Sequence, residues 1–347
     1  MGVNSKIASS DDTEKKALDE LKQLIKTALI NHEFTSPSPH KPIKEEEVFI
    51  WGIPLIGDEK SDVILLKFLR ASDFKVKKAF TTIKKTVKWR KECGIDTLLD
   101  EDLGLSNDLE KVVFMNGFDK KGHPVCYNAY GEFESNKDLY SKTFSTEEKR
   151  LKFIIWRIQF LEKSIRKLDF GPGGVSTILQ ICDLKNSPGV GTLELIRDTD
   201  QSLCLIQENY PEFHAKHVLI NVPWWYHAFY RMVSPFLPQR TKSKFVFAGP
   251  SKSPKTLFKY ISPGLVPVQY GGLYREGNKE FSCADLVEEI PDKRGTRKPI
   301  ELLVSKIRCV FHITYLLQII NYLGKMFDSS IYLDVPKTSI SRLYFKI

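Results

Sequence analysis

The 347-residue chain has six cysteines but no CxxC pair, which removes zinc ribbons and thioredoxin-type redox motifs. Cys93, Cys126, Cys182, Cys204, Cys283 and Cys309 lie scattered, as free thiols in a reducing cytosol would. No apolar signal segment opens the chain, and Lys6 stands where an N-myristoylation motif wants Ser or Thr. Nucleotide and hydrolase signatures are missing too: there is no GxGxxG after the first strand, no P-loop, no GxSxG and no HExxH.

What is present is globular. At 42% hydrophobic and 27% charged residues, disorder across the whole chain is excluded. The net charge of +9 is uneven, because residues from Pro291 onward carry ten Lys and Arg against four Asp and Glu. A nucleic-acid partner, which net charge alone would suggest, has no reading element to serve it.

Apolar residues Ala17, Leu18, Leu21, Leu24, Ile25, Ala28 and Leu29 recur at helical spacing within Glu14 to Phe34, and the TSPSPHKP stretch behind them fits a linker. From Asp62 to Glu92 two apolar faces predict two packed helices. The second carries Lys75, Lys77, Lys78, Lys84, Lys85, Lys88, Arg90 and Lys91, either a solvated face or one that meets anionic phospholipid. The period then changes: VVFMNGF and PVCYNAY flank a Lys121-Gly122 turn as an antiparallel pair, and VSTILQICDL, HVLINV and KFVFAG alternate with helical patterns. The predicted fold class is α/β, a mostly parallel sheet covered by helices behind an all-helical front piece. The expected divisions are 1–45 (helix and linker), 46–100 (helical domain), 101–275 (α/β domain) and 276–347 (tail).

Candidate chemistry is sparse. His214 and His217 stand three apart with no acid or Cys at ligand spacing to complete a metal site. Asp183 ends a strand with no nameable catalytic partner and reads as a turn or cap residue. The turns Gly171 to Gly174, Ser187 to Thr192 and Ala248 to Ser253 match no known phosphate cradle. What stands out is PWWYHAFYRMVSPFL, which spreads Trp224, Trp225, Tyr226, Phe229, Tyr230, Met232, Val233, Phe236 and Leu237 around a short helix. Such a helix is either buried in the core or faces core on one side and lipid, membrane or cavity on the other. Arg240, Lys242 and Lys244 follow at once. Aromatic wall and basic cluster together suit an amphiphile with acyl chains and an anionic head.

The blocks LLKFLRASDFKVKKAF, VKWRKE, DKKGHPV, ICDLKNSPG, QENYPEFHAKHVLINVPWWY, VSPFLPQRTKSKFVFAGPSKSPKTLFKYI and VPVQYGGL closely resemble the CRAL-TRIO lipid-binding family in its plant patellin branch, from about residue 14 to 275. The resemblance implies a small helical domain, a lobe whose sheet floors a hydrophobic pocket, and a gate helix at Trp225 to Phe236. It implies no catalysis and no cofactor beyond a bound phospholipid. The expected protein is a monomer, cytoplasmic and peripheral at the plasma membrane or cell plate, serving trafficking and cell division, with an anionic membrane surface as its partner. By the same resemblance Glu212, Thr241 and Lys244 hold a phosphatidylinositol head group, while Arg240 and Lys242 face the membrane. The chain departs from the family at the head-group positions and again beyond Glu289. Ser72 and Asp73 occupy the family's cationic head-group positions, which leaves a sterol or tocopherol as the alternative ligand. Choline-lipid exchangers carry a small hydroxyl residue at positions matching Ile178 and Gln180, and its absence here argues against phosphatidylcholine exchange. Beyond Glu289 the chain lacks the strand pattern of the family's C-terminal GOLD domain. Val310 to Leu323, uncharged but holding His312, Gln318 and Asn321, reads as an interfacial or core helix, a membrane segment, or part of a non-native tail.

Overall fold

The computed structural model describes residues 4–34, 47–105, 108–186, 206, 208–223, 230–231, 234–236 and 239–275, the side chains of 4–11, 236, 240 and 241 excepted. The tail, the Pro-rich linker and most of the expected gate helix lie outside the described residues.

Helix α1 (Asn4–Ile30) begins ten residues earlier than the sequence pattern predicts. It buries Ala17, Leu21, Ile25 and Ala28, spaced four, four and three apart, against α2 (Glu59–Ala71) and α3 (Val76–Glu92). Complete burial of a side chain such as Leu21 or Ile25 stabilises by roughly 1.5–3 kcal/mol. A two-residue hairpin of β1 (Phe49–Ile50) and β2 (Ile53–Pro54) leads into α2, whose N-cap Asp58 accepts from the Lys60 amide. The α2–α3 turn passes through left-handed Asp73 and Phe74, and Ser72 ends α2 as a buried cap. The cationic face of α3 is narrower than its sequence implies. Arg90 continues the buried series Val76, Ala79, Ile83, Val87 and points inward, while Lys84 pairs with Glu33 at 2.6 Å and Lys91 donates to the Phe34 carbonyl.

Short helices α4 (Leu109–Val112), α5 (Glu132–Ser135) and α6 (Lys137–Phe144) and the long α7 (Glu147–Ile165) surround the start of a five-stranded sheet. Its order is β3 (Val113–Phe118), β4 (Pro124–Asn128), β5 (Ile178–Asp183), β6 (His214–Ile220) and β7 (Phe245–Phe247). The first pair is antiparallel and the other three parallel, as the alternating pattern predicts. Helix α8 (Gln239–Lys244) precedes β7, and α9 (Ser253–Tyr260) follows it.

Side chains alternate across the sheet. Val125, Tyr127, Leu179, Ile181, Val218 and Ile220 pack with Leu257 of α9, Ile261 and Val266 into one core. Phe114, Tyr127 and Tyr270 stack there with centroids 5.0 and 5.4 Å apart. The opposite face carries Cys126, Gln180 and His217 in one row across three strands, with Phe245 closing it on β7. A second row holds Asn128, Cys182, Leu219 and Phe247.

Candidate functional site

Residue 212 precedes β6 in the sequence Tyr-Pro-Glu and holds a left-handed backbone, φ 57°, costly for a side chain with a Cβ. That turn aims its carboxylate at the end of α8, where Lys244 Nζ lies 2.8 Å from Glu212 Oε2, both side chains largely shielded. Two residues 32 positions apart thus meet because β6 and β7 are neighbouring parallel strands. The Thr241 side chain, expected as the third head-group contact, lies outside the described residues, as does that of Arg240. Lys242 is half-buried on α8.

Sequence reasoning missed a further cation here. Lys67, on the apolar face of α2, donates to the carbonyls of Ser176 (2.8 Å) and Glu212 (3.0 Å), with its ammonium 4.4 Å from the Phe213 ring centroid. Burial pulls its pKa down to about 7; Glu212 opposes the shift, and Arg70 and Lys244 reinforce it. The signal was readable, since a lysine three residues after Ile64 and beside Phe68 stands at core spacing. Ser72 is buried in its turn and Asp73 is exposed, so the two departing positions close a loop.

The sheet face beside this ion pair carries two histidines. Strand β6 carries one extra residue where β5 steps from Ile178 to Leu179, so His214 and His217, three apart, share a face. Their ring centroids are 4.7 Å apart, and His217 stacks on Phe245 at 4.9 Å. Burial first, and then the positive charge of Lys244, Arg157 and Lys67, lowers the His214 pKa to about 3. Burial likewise pushes His217 well below its ordinary value, with His214 and Lys244 contributing. Both rings are therefore neutral, and among the described residues no group of His, Cys, Asp and Glu is placed to hold a metal. Of the expected gate residues, Trp224, Trp225, Tyr226, Phe229, Met232 and Val233 lie outside the described residues, and so does the Phe236 side chain. Tyr230 from the same segment is described; it meets Phe247 of this sheet face with centroids 4.3 Å apart.

At the carboxyl ends of β5 and β6 lies a separate cleft of about 570 Å³, lined by residues including Glu132, Asp183, Asn221 and Tyr270. Asp183 acts there as the turn residue its sequence suggests: Oδ1 accepts from the Lys185 amide (2.8 Å) and the Asn221 side chain (2.6 Å). Cys93, Cys126 and Cys182 are buried, and burial raises the Cys126 thiol to about 11. No described helix is long and apolar enough to cross a membrane.

The model of the CRAL/TRIO domain matches residues 109–272, and that of the CRAL/TRIO N-terminal domain matches 17–85. Patellin-3 of Arabidopsis thaliana is 58% identical over 304 residues, 87% of this chain and 60% of the relative. Patellin-5 of the same plant is 55% identical, with 43% of its length covered, so the chain spans less than two thirds of either. The phosphatidylinositol transfer protein SFH5 of Meyerozyma guilliermondii is 30% identical over 68% of this chain and 71% of its own. A crystal structure of Sfh5 shares the fold, with a TM-score of 0.53, 21% identity, and coverage of 70% of this chain and 83% of that one. The chain belongs to the CRAL/TRIO domain family, in its patellin branch.

Proposed function

We propose that this chain binds one phospholipid, a phosphoinositide, and transfers or presents it at membranes without making or breaking covalent bonds. The reading places it in the cytoplasm and at a peripheral membrane site, in trafficking that extends to the cell plate of dividing cells.

The observation that carries the reading is the Glu212–Lys244 pair beside a sheet face lined by aromatic rings. An ammonium has three N–H donors, so Lys244 can keep Glu212 and still donate to a phosphate, while the remaining lone pairs of Glu212 accept from ring hydroxyls. The acyl chains supply the need for a closed pocket. Two chains of roughly 16 carbons, at ~0.8 kcal/mol per CH₂, cost on the order of 25 kcal/mol to carry through water. The aromatic segment from Trp224 to Phe236 is the candidate cover, and its Tyr230 already rests on Phe247. Opening at a bilayer exchanges one apolar environment for another, so the net free energy of transfer is small.

Extraction of labelled phosphatidylinositol from liposomes tests the assignment. Lys244→Ala lowers extraction of this lipid, and Trp225→Ala slows exchange of every lipid. Unchanged extraction in both variants overturns the site. A second reading, a sterol or tocopherol carrier, draws on Ser72 being sealed in the α2–α3 turn, where it offers no contact to an anionic head. Mass spectrometry of the lipid that co-purifies with the chain separates the two readings.

A further inference from the structure

Arg157 sits on the buried face of α7, 7% exposed, against Asn128 of β4. Its Nη2 donates to Asn128 Oδ1 at 3.2 Å, and the Phe160 ring lies 5.8 Å away. Its Nη1 is buried without a hydrogen-bond partner, and among the described residues no carboxylate pairs with the guanidinium. A guanidinium cannot escape by deprotonation, so a buried one without a counter-anion is among the costliest groups a fold can carry.

It is not the only unsatisfied group there. Gln180 Oε1 and His217 Nδ1 are buried without partners, on adjacent strands of the same row. Asn128, which holds Arg157, is one residue pair along on β4. Neighbouring strands lie about 4.8 Å apart, so these groups converge on one patch of floor. Its chemistry is lopsided. Lys244, Arg157 and Lys67 all act on His214, and Glu212 acts on Lys67. With both imidazoles neutral, positive charge exceeds negative among the described groups named here.

We infer that the lipid of the reading above places an anionic oxygen group, a phosphate or a carboxylate, against Arg157 on the sheet floor, where Gln180 and His217 complete its hydrogen bonds. The inference rests on the lipid-binding reading above and adds to it an anion contact on the sheet floor, which only an acidic amphiphile fills. Arg157 Nη1 donates, His217 donates in its Nδ1–H tautomer, and the Gln180 amide donates once turned by half a rotation. A neutral diacylglycerol or a fatty-acid ester would leave the guanidinium unpaired.

The test uses the full chain with four fluorescent probes: phosphatidic acid and a long-chain fatty acid, each beside its uncharged counterpart, diacylglycerol and the fatty-acid methyl ester. Wild type binds at least one acidic probe well above its neutral counterpart. Arg157→Met, close in volume, weakens acidic-probe binding by roughly tenfold to a hundredfold, the value of a charged hydrogen bond, and leaves the neutral probes within about twofold. Arg157→Lys restores part of the difference. The thermal midpoint of Arg157→Met stays level or rises, because an uncompensated buried charge has been removed.

Loss confined to phosphatidic acid names a phospholipid phosphate, and loss confined to the fatty acid names a carboxylate. Equal loss for acidic and neutral probes, or a fall in thermal midpoint with binding unchanged, gives Arg157 a purely structural role and overturns the inference while the lipid-binding reading stands. If wild type takes up none of the four probes and extracts no phosphatidylinositol, the lipid-binding reading itself fails.

Discussion

Arg90 and Glu162 face each other through two hydrogen bonds, 2.6 and 3.1 Å, with both side chains sealed from water. The pair joins α3 of the helical front piece to α7 of the sheet lobe, 72 residues on. Tyr210 donates to the same Glu162 oxygen at 2.7 Å, and Asp96 takes a further guanidinium hydrogen at 2.7 Å. Tyr210 opens the Tyr-Pro-Glu turn, so the network also fixes the approach to Glu212.

Breaking this pair from one side leaves an uncompensated buried charge. Glu162→Gln is expected to destabilise the fold by about 3–5 kcal/mol, measured as a shift in the urea midpoint. Replacing both partners, Arg90→Met with Glu162→Leu, recovers most of that loss if the charge alone is at fault. A double variant as unstable as the single one would show that the Tyr210 and Asp96 bonds carry the stability.

Lys67 gives the stability a pH dependence of definite sign. Its folded pKa, about 7, lies below the ordinary value of 10.5, so between these limits the unfolded chain binds more protons than the folded one. Stability from this group therefore rises with pH from about 7 to about 10.5, by on the order of 3–5 kcal/mol in total, and is flat below 7. Denaturant melts at half-unit pH steps should show the slope in wild type and lose it in Lys67→Met. A slope that persists in the variant assigns it elsewhere.

Much of the scaffold was legible because it is written in periods. The strand runs, the α2 and α3 faces and the Lys121-Gly122 turn follow from spacing alone, and β3 to β7 stand where the runs place them. The Glu212 and Lys244 pairing was reached through resemblance, since residues 32 apart meet only by way of sheet order. Lys67, Arg90 and Arg157 share one reason for having been passed over. Each is a long cation at core spacing on an amphipathic helix, where a reading by charge puts it in solvent and a reading by period puts it inside. The bulge that brings His214 and His217 to one face is invisible in sequence, because three-residue spacing in a regular strand would send them to opposite sides.

Gly131 marks a close approach. A Cβ at this position would lie 2.1 Å from the Lys185 carbonyl oxygen, in the turn that follows β5. Neither backbone can yield without disturbing Asp183, which ties that turn to Asn221. Gly131→Ala is expected to cost about 2–4 kcal/mol and to speed amide exchange around Lys185. An unchanged melting midpoint and unchanged exchange would mean that the turn relaxes freely.

The neutral imidazoles add an acid limb to the pH profile. His214 has a folded pKa of about 3 against an ordinary 6.5, so the unfolded chain takes up a proton in a range where the folded chain does not. Stability is complete above about 6.5 and falls as pH drops toward 3, the opposite of a histidine held charged by a carboxylate. His214→Phe keeps the ring packing against His217 and removes the proton site, so its acid limb should be shallower than that of wild type below pH 6.5. An anion against Arg157 would offset the positive field at His214 and raise that pKa, so saturation with phosphatidic acid should itself flatten the limb in wild type. It should leave the limb unchanged in Arg157→Met. An acid limb equally steep in wild type and His214→Phe would place the titrating group elsewhere.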